Sequence, residues 1–163
     1  MTISRRRSAV GAAVCAATTA LLLTGCSPSA AASATDDLTS NVEAFTADLE
    51  SAAGSASGAR ELIGKTSVQD YSGYRDDPDA LRITGSGWYE AEDADGTATI
   101  ALLAIGRGES RSWFATDQAI VARCVEFRVV LGAGAESGVT QRRIACPAGL
   151  RSAAGIGVRM PEV

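Results

Sequence analysis

The sequence predicts an α+β domain in which one N-terminal helix packs on an antiparallel sheet of four or five strands, with a single disulfide. Three patterns lead to this prediction: apolar residues recur at spacings of three and four near residue 40, an Asp-Gly dipeptide separates two apolar segments near residue 95, and polar and apolar residues alternate after residue 122. A length of 163 residues, with 46% apolar and 21% charged residues, fits one globular domain.

The helix is predicted from Asp36 to about Ala53, because its apolar residues fall on one face. Thr35, followed by Asp36 and Asp37, suits the helix start, where carboxylates favour the positive end of the helix dipole. We expect this face to pack on the sheet; the alternative is a docking helix for a partner. Residues 54–58 should end the helix, and residues 59–64 should form a further short turn of helix. The predicted buried face comprises Leu38, Val42, Phe45, Leu49 and Ala52 or Ala53.

The next part of the chain predicts a loop at residues 66–79 and then a hairpin. Strands at residues 81–92 and 97–105 flank Asp95-Gly96, a dipeptide suited to the positive φ angles of a tight turn. The second strand is apolar on both faces and should lie centrally in the sheet. We then expect a polar turn at residues 106–110, a short segment ending at Trp113 and Phe114, and a connection at Asp117-Gln118.

Alternation predicts a half-buried strand at residues 122–131, with Val125 and Phe127 on one face and Cys124 and Glu126 on the other. Residues 132–138 should form a loop, residues 139–146 should pair with the preceding strand, and little regular structure is expected after Pro147. A pairing in which residue numbers sum to 270 would place Cys124 opposite Cys146. The same register sets Arg128 against Arg142, so we expect a bulge or a slip of one residue near the loop.

The N-terminus has the three parts of an export signal: the cations Arg5–Arg7, an apolar stretch at residues 9–23, and a small-residue end. The stretch of about 15 apolar residues falls short of the ~20 needed to cross a bilayer. Leu23-Thr24-Gly25-Cys26 closely resembles the lipobox of bacterial lipoproteins. The resemblance implies that residues 1–25 are removed and that Cys26 carries a diacylglycerol, the palmitate-type anchor of these proteins. We expect a flexible tether at residues 26–35 and one domain at residues 36–163.

The composition indicates in which membrane this anchor would lie. The chain has 14 Arg, which is 15 basic residues less the single Lys65, with abundant Ala and Gly, and so resembles proteins of GC-rich actinobacteria. That likeness implies a lipid in the cell membrane with the domain on its extracytoplasmic face. Of the four cysteines, Cys15 and Cys26 belong to the signal and the anchor. Cys124 and Cys146 are then expected to form a disulfide in an oxidising compartment.

Several function classes are excluded. The chain has no histidine, so Ser-His-Asp and Cys-His catalysis and imidazole metal sites are excluded. Without the three signal arginines the charge is 12 − 19 = −7, which argues against binding to nucleic acid. The acidic segment at residues 90–96 lacks two EF-hand ligands, since Ala91 and Leu102 occupy the first and twelfth positions. We predict no cofactor, no metal and no catalytic residues.

Two aromatic pairs, Trp88-Tyr89 and Trp113-Phe114, are the candidate ligand-binding residues, because exposed rings could stack on a sugar or contact a partner. If these segments are strands, alternation should send one ring of each pair outward.

The leading hypothesis is a non-catalytic binding or interaction module at the cell envelope, with a cell-wall or envelope-protein ligand. One alternative is a carboxylate-dependent cell-wall glycan hydrolase, for which Glu90, Glu92, Glu126 and Glu136 are candidates. It requires two carboxyl groups within about 5 to 10 Å in a cleft. The other alternative is a structural or folding accessory that uses an exposed Leu38–Ala53 helix face.

Overall fold

The computed structural model of the chain describes residues 28–77, 82–132 and 138–153, together with the backbone of residues 158–159. The predicted signal segment and Cys26 lie outside these residues, as do Glu136 and most of the predicted loop at 132–138. The helices are α1 (Ala30–Ala53), α2 (Ala59–Gly64) and α3 (Ala148–Ala153), with a 3-10 turn at Ser72–Arg75. The strands are β1 (Gln69–Asp70), β2 (Gly87–Ala94), β3 (Thr97–Arg111), β4 (Thr116–Val130), β5 (Val139–Ile144) and β6 (Val158–Arg159).

The α+β prediction is confirmed. Strands β2, β3, β4 and β5 form an antiparallel sheet in chain order, with β3 inside it as expected. The two-residue strands β1 and β6 pair in parallel with β2 and β4, so the complete sheet is mixed. The β2–β3 turn is also as predicted, because Asp95 and Gly96 have φ angles of 49° and 72°.

Helix α1 packs its apolar face on the sheet, as predicted, and ends at Ala53. Leu38, Val42, Phe45 and Leu49 are at most 8% exposed, which contradicts the accessory hypothesis that needed this face open. Phe45 meets Phe127 of β4 edge to face, with 5.1 Å between ring centroids.

The start of α1 corrects the predicted tether. The helix begins at Ala30, where the Ser29 Oγ accepts a hydrogen bond from the amide of Ala32. Residues 30–35 are therefore helical, and Ala30 and Ala34 are buried. Alanine has the highest helix propensity, and packing on the sheet stabilises this first turn. The sequence pattern predicts a linker here because these side chains are small and uncharged.

Helix α1 approaches the sheet closely at two glycines of β3. A Cβ atom at Gly106 would lie 2.0 Å from the carbonyl oxygen of Ala34, and one at Gly108 would lie 2.0 Å from that of Ala30. The predicted turn at residues 106–110 and the connection at Asp117-Gln118 are therefore wrong. These residues continue β3 and β4, which pair without interruption from Thr97–Val130 to Arg111–Thr116. The glycines make room for a helix and do not turn the chain.

Both faces of the sheet are covered. The face opposite α1 carries a second apolar cluster around Tyr74, Tyr89, Leu103 and Leu150. Leu150 belongs to α3, so the expectation of little regular structure after Pro147 is wrong. Coverage on two sides also overturns the expectation of one outward ring for Trp88-Tyr89, since both rings are buried. Trp113 and Phe114 lie in the connection between β3 and β4 and not on a strand, so alternation does not apply to them.

The disulfide between Cys124 and Cys146 is confirmed, with 5.2 Å between the Cα atoms. The strand register differs from the prediction, because Cys124 pairs with Ile144 and the residue numbers sum to 268. The shift is two residues along the whole ladder, where a local slip of one was expected. It places Arg142 opposite Glu126 and so removes the repulsion between Arg128 and Arg142.

Candidate functional site

The most exposed large apolar side chains among the described residues are Trp113 and Phe114, at the tip of the β3–β4 hairpin. They are 97% and 100% exposed. The connection that carries them is itself hydrogen bonded: the Ser112 amide donates to the Ala115 carbonyl over 2.8 Å, and the Ala115 amide donates to the Ser112 Oγ over 3.1 Å. The tip therefore combines a bonded backbone with two rings in solvent, an arrangement typical of an interaction site.

The other predicted aromatic pair does not belong to this site. Trp88 and Tyr89 are 7% and 3% exposed, so neither can present a ring to a ligand. Trp88 packs in the cluster under α1, where the Arg60 guanidinium lies 5.9 Å from its ring centroid. Tyr89 packs edge to face with Tyr74 on the opposite side of the sheet.

The charges near the tip balance. Arg111 binds Glu109 over 2.6 Å, and Arg107 donates to the Thr84 carbonyl over 2.7 Å. Asp117 supplies the second carboxylate, so residues 107–118 contain two cations and two anions. The tip is an apolar feature on an electrically neutral hairpin end.

The middle of β3 is held by polar contacts with α1 and with Ser86. Pairing with β2 stops at Leu103, so the edge of β3 beyond that residue needs other partners. The Ile105 carbonyl accepts from Asn41 over 2.9 Å, and the Ile105 amide donates to the Ser86 Oγ over 3.0 Å. Asp37 accepts from the Arg107 amide over 2.8 Å. The sequence pattern assigns Asp37 to the helix start, which is wrong because α1 begins at Ala30, and it does not identify Asn41. Nothing local in the sequence indicates that a strand edge lies beside these two residues.

A groove of about 320 Å³ lies beside these contacts, between α1 and the segments at residues 67–69 and 85–86. Its acidic residues are Asp37 and Asp48, which are eleven positions apart on α1 and therefore separated by about 16 Å along the helix axis. That separation exceeds the spacing of paired glycosidase carboxylates.

Two of the glutamates that the hydrolase hypothesis named, Glu90 and Glu126, are already engaged by arginines. Glu90 binds Arg75 and accepts from the Tyr74 hydroxyl over 2.8 Å. Glu126 accepts two hydrogen bonds of 2.7 Å from Arg142 and one of 3.2 Å from Arg128. The Arg142 hydrogen bonds lower the pKa of Glu126, whereas a general acid needs a raised one. Within the described part of the chain, no group of three or more acidic or cysteine side chains could hold a metal ion.

Glu126 instead stabilises the pairing of β4 with β5 through its ion pair with Arg142. The stability of the protein should therefore depend on pH. Replacing Glu126→Gln should lower the free energy of unfolding at pH 7 by about 1 kcal/mol, a figure that allows for solvent around the exposed Arg142. Because folding lowers the pKa, the carboxylate stabilises the protein above its unfolded pKa of about 4.3, and this contribution disappears as the pH falls through the lower folded value. Denaturant titrations should show a smaller difference in unfolding free energy between the wild type and Glu126→Gln at pH 3 than at pH 7.

The exposed Glu92 of β2 provides the control for this experiment. Glu92→Gln should leave stability within about 0.5 kcal/mol of the wild type at pH 7. A Glu126→Gln deficit that stayed constant down to pH 2 would contradict the role given to the charge.

Among the helices of the described residues, none is long and apolar enough to cross a membrane. Comparisons with protein-family models, with curated proteins and with solved structures gave no match for this chain.

Proposed function

We propose that the chain is a membrane-anchored lipoprotein and that its extracytoplasmic domain is a non-catalytic binding or interaction module. A diacylglycerol on Cys26 holds it at the cell membrane, and the Trp113–Phe114 tip is its contact surface. The observation that carries the binding role is the near-complete exposure of two adjacent aromatic side chains on a hydrogen-bonded hairpin end.

Two sequence features and one structural feature support the placement. The lipobox-like Leu23-Thr24-Gly25-Cys26 follows a cationic and apolar segment of the length typical of export signals. The Cys124–Cys146 disulfide fits an oxidising compartment outside the cytosol. Two acyl chains would give stable anchoring without help from the domain surface, since each buried methylene contributes about 0.8 kcal/mol.

The non-catalytic assignment is supported by the state of the ionisable groups. The sequence offers no histidine, and the sheet residues Glu90 and Glu126 form ion pairs with arginines. Their charges therefore stabilise the fold and are not free for proton transfer. Turnover of a cell-wall glycan by the purified protein would contradict this assignment.

The anchor is tested by labelling cells with palmitate and measuring the mass of the mature N-terminus. The wild-type chain should incorporate the label and begin at an acylated Cys26, and the Cys26→Ala chain should lose the label, because only a thiol at this position accepts the diacylglycerol. The control is Cys15→Ala, which removes the other N-terminal cysteine and should keep the label. Wild-type protein without label, or label that persists in Cys26→Ala, would overturn the proposal.

A further inference from the structure

The start of α1 and the hairpin tip lie at the same end of the molecule. Helix α1 runs antiparallel to β3, because Leu38 and Ala34 meet Gly106 whereas Ala34 and Ala30 meet Gly108. At its other end, the Ala53 carbonyl accepts from the Gly132 amide beyond β4. The part of β3 that follows Gly108 therefore extends past the first turn of α1 and ends at the tip.

The hairpin beyond Gly108 and the chain between Ala30 and Cys26 can extend about equally far from the crossing of α1 with β3. From Gly108 to Ser112 the strand rises about 3.4 Å per residue, which carries the tip about 14 Å beyond the crossing with Ala30. Cys26 precedes Ala30 by four positions, and four residues of chain span at most about 14 Å. A lipid on Cys26 therefore cannot lift the domain further from a bilayer than the hairpin itself projects.

The chemistry of the tip suits the boundary between lipid and water. Trp and Phe are the side chains that enter this interface with their apolar surfaces, and tryptophan also keeps a ring N–H for polar partners. The hairpin end has balanced charges, as Arg107 and Arg111 offset Glu109 and Asp117. The contact should therefore not depend on anionic lipid.

We propose that Trp113 and Phe114 insert into the surface of the same bilayer that holds the Cys26 lipid, as a second contact that orients the domain. This inference rests on the proposed lipid anchor and names the partner of the tip. Two separated contacts would hold the hairpin end against the membrane and turn the β2–β3 turn and the end of α1 away from it.

The two tryptophans of the chain make the test direct, because Trp88 is 7% exposed and Trp113 is 97% exposed. Purified lipidated protein, with the Cys26 mass confirmed, is reconstituted into phosphatidylcholine vesicles with or without brominated acyl chains. The bromolipid should quench the Trp113 component of the wild-type emission, and iodide in the water should lose access to it. Trp113→Ser leaves only Trp88, so its emission should not respond to bromolipid.

A second measurement follows transfer of the lipidated protein between vesicles. Removing both rings in Trp113→Ser/Phe114→Ser should speed desorption by roughly a hundredfold, at about tenfold for each partly buried ring. Both positions are in solvent, so these variants should fold normally. The matched control, Glu109→Gln/Arg111→Gln, removes the neighbouring ion pair and keeps the rings, and it should retain quenching and slow transfer.

The possible outcomes test the membrane contact of the tip and the lipid anchor separately. An acylated protein in which iodide still reaches Trp113 and bromolipid does not quench it would overturn the membrane contact and leave the anchor standing. Exclusion of iodide without bromolipid quenching would mean that protein covers the tip, and would equally overturn it. If Cys26 carries no lipid, the proposed anchor fails; quenching by vesicles added to the same protein then supports the tip contact, and its absence overturns that as well.

Discussion

Gly106→Val will separate the N-terminal half of α1 from β3 and lower the free energy of unfolding by about 3 kcal/mol. The new Cβ would lie 2.0 Å from the Ala34 carbonyl oxygen and 2.5 Å from the Leu38 amide nitrogen. Both obstacles are backbone atoms of a helix, so no side chain can rotate away. Valine suits a strand better than glycine does, and the local effect alone would therefore stabilise β3. A loss of stability in Gly106→Val therefore indicates the clash with α1, whereas a gain would indicate that strand propensity dominates.

Denaturant unfolding followed by circular dichroism measures this loss, and amide exchange in α1 locates it. Gly64→Ala provides the control, because a Cβ atom at Gly64 meets nothing within 4 Å. That control should be neutral or slightly stabilising, since alanine favours a helix over glycine. Wild-type stability in Gly106→Val would mean that α1 can move outward at no cost, and the interpretation of the β3 glycines would be wrong.

Loss of the disulfide is expected to have an effect of similar size. Cys124→Ala/Cys146→Ala should lower the free energy of unfolding by about 3 kcal/mol, because the bond closes a loop with a sequence separation of 22 and its loss frees the unfolded chain. Cys124 is buried in the apolar cluster that also contains Leu150, and alanine keeps that position apolar. The bond also fastens the chain after β5 to β4, just beyond the last ladder pair, so this end of β5 should become the first to exchange.

The comparison uses unfolding with and without reductant. Reductant should lower the stability of the wild type to near that of the double variant and should leave the variant unchanged. A wild-type protein equally stable after reduction would show that the bond contributes nothing to the fold.

Local patterns predicted a large part of this fold. The spacing of Leu38 to Ala53 predicted both the helix and the face that it buries, and Asp95-Gly96 predicted the β2–β3 turn. The two faces of β4 also follow the alternation, with Val125 and Phe127 under α1 and Cys124 on the opposite side. In these cases the residues of a single segment are enough to predict its structure.

The errors share a cause. Gly106 and Gly108 indicated a turn, because glycine usually marks a change of chain direction, and here they mark the passage of a helix from elsewhere in the sequence. In the observed register of β5, Arg142 lies opposite Glu126 and forms an ion pair with it. The prediction placed the two cysteines directly opposite each other. Each outcome depended on a partner segment that local periodicity does not identify.

The candidate site shows the same division. The sequence by itself determined the absence of histidine, the cysteine pair, the lipobox-like segment and the existence of two aromatic pairs. Only the tertiary structure decided that Trp88 and Tyr89 are buried and that Trp113 and Phe114 are exposed. The physical reason is that periodicity describes how a segment presents its faces, whereas burial depends on whether a distant segment covers them. Helices and loops cover both sides of the sheet at β2, and the described chain leaves the end of the long hairpin uncovered.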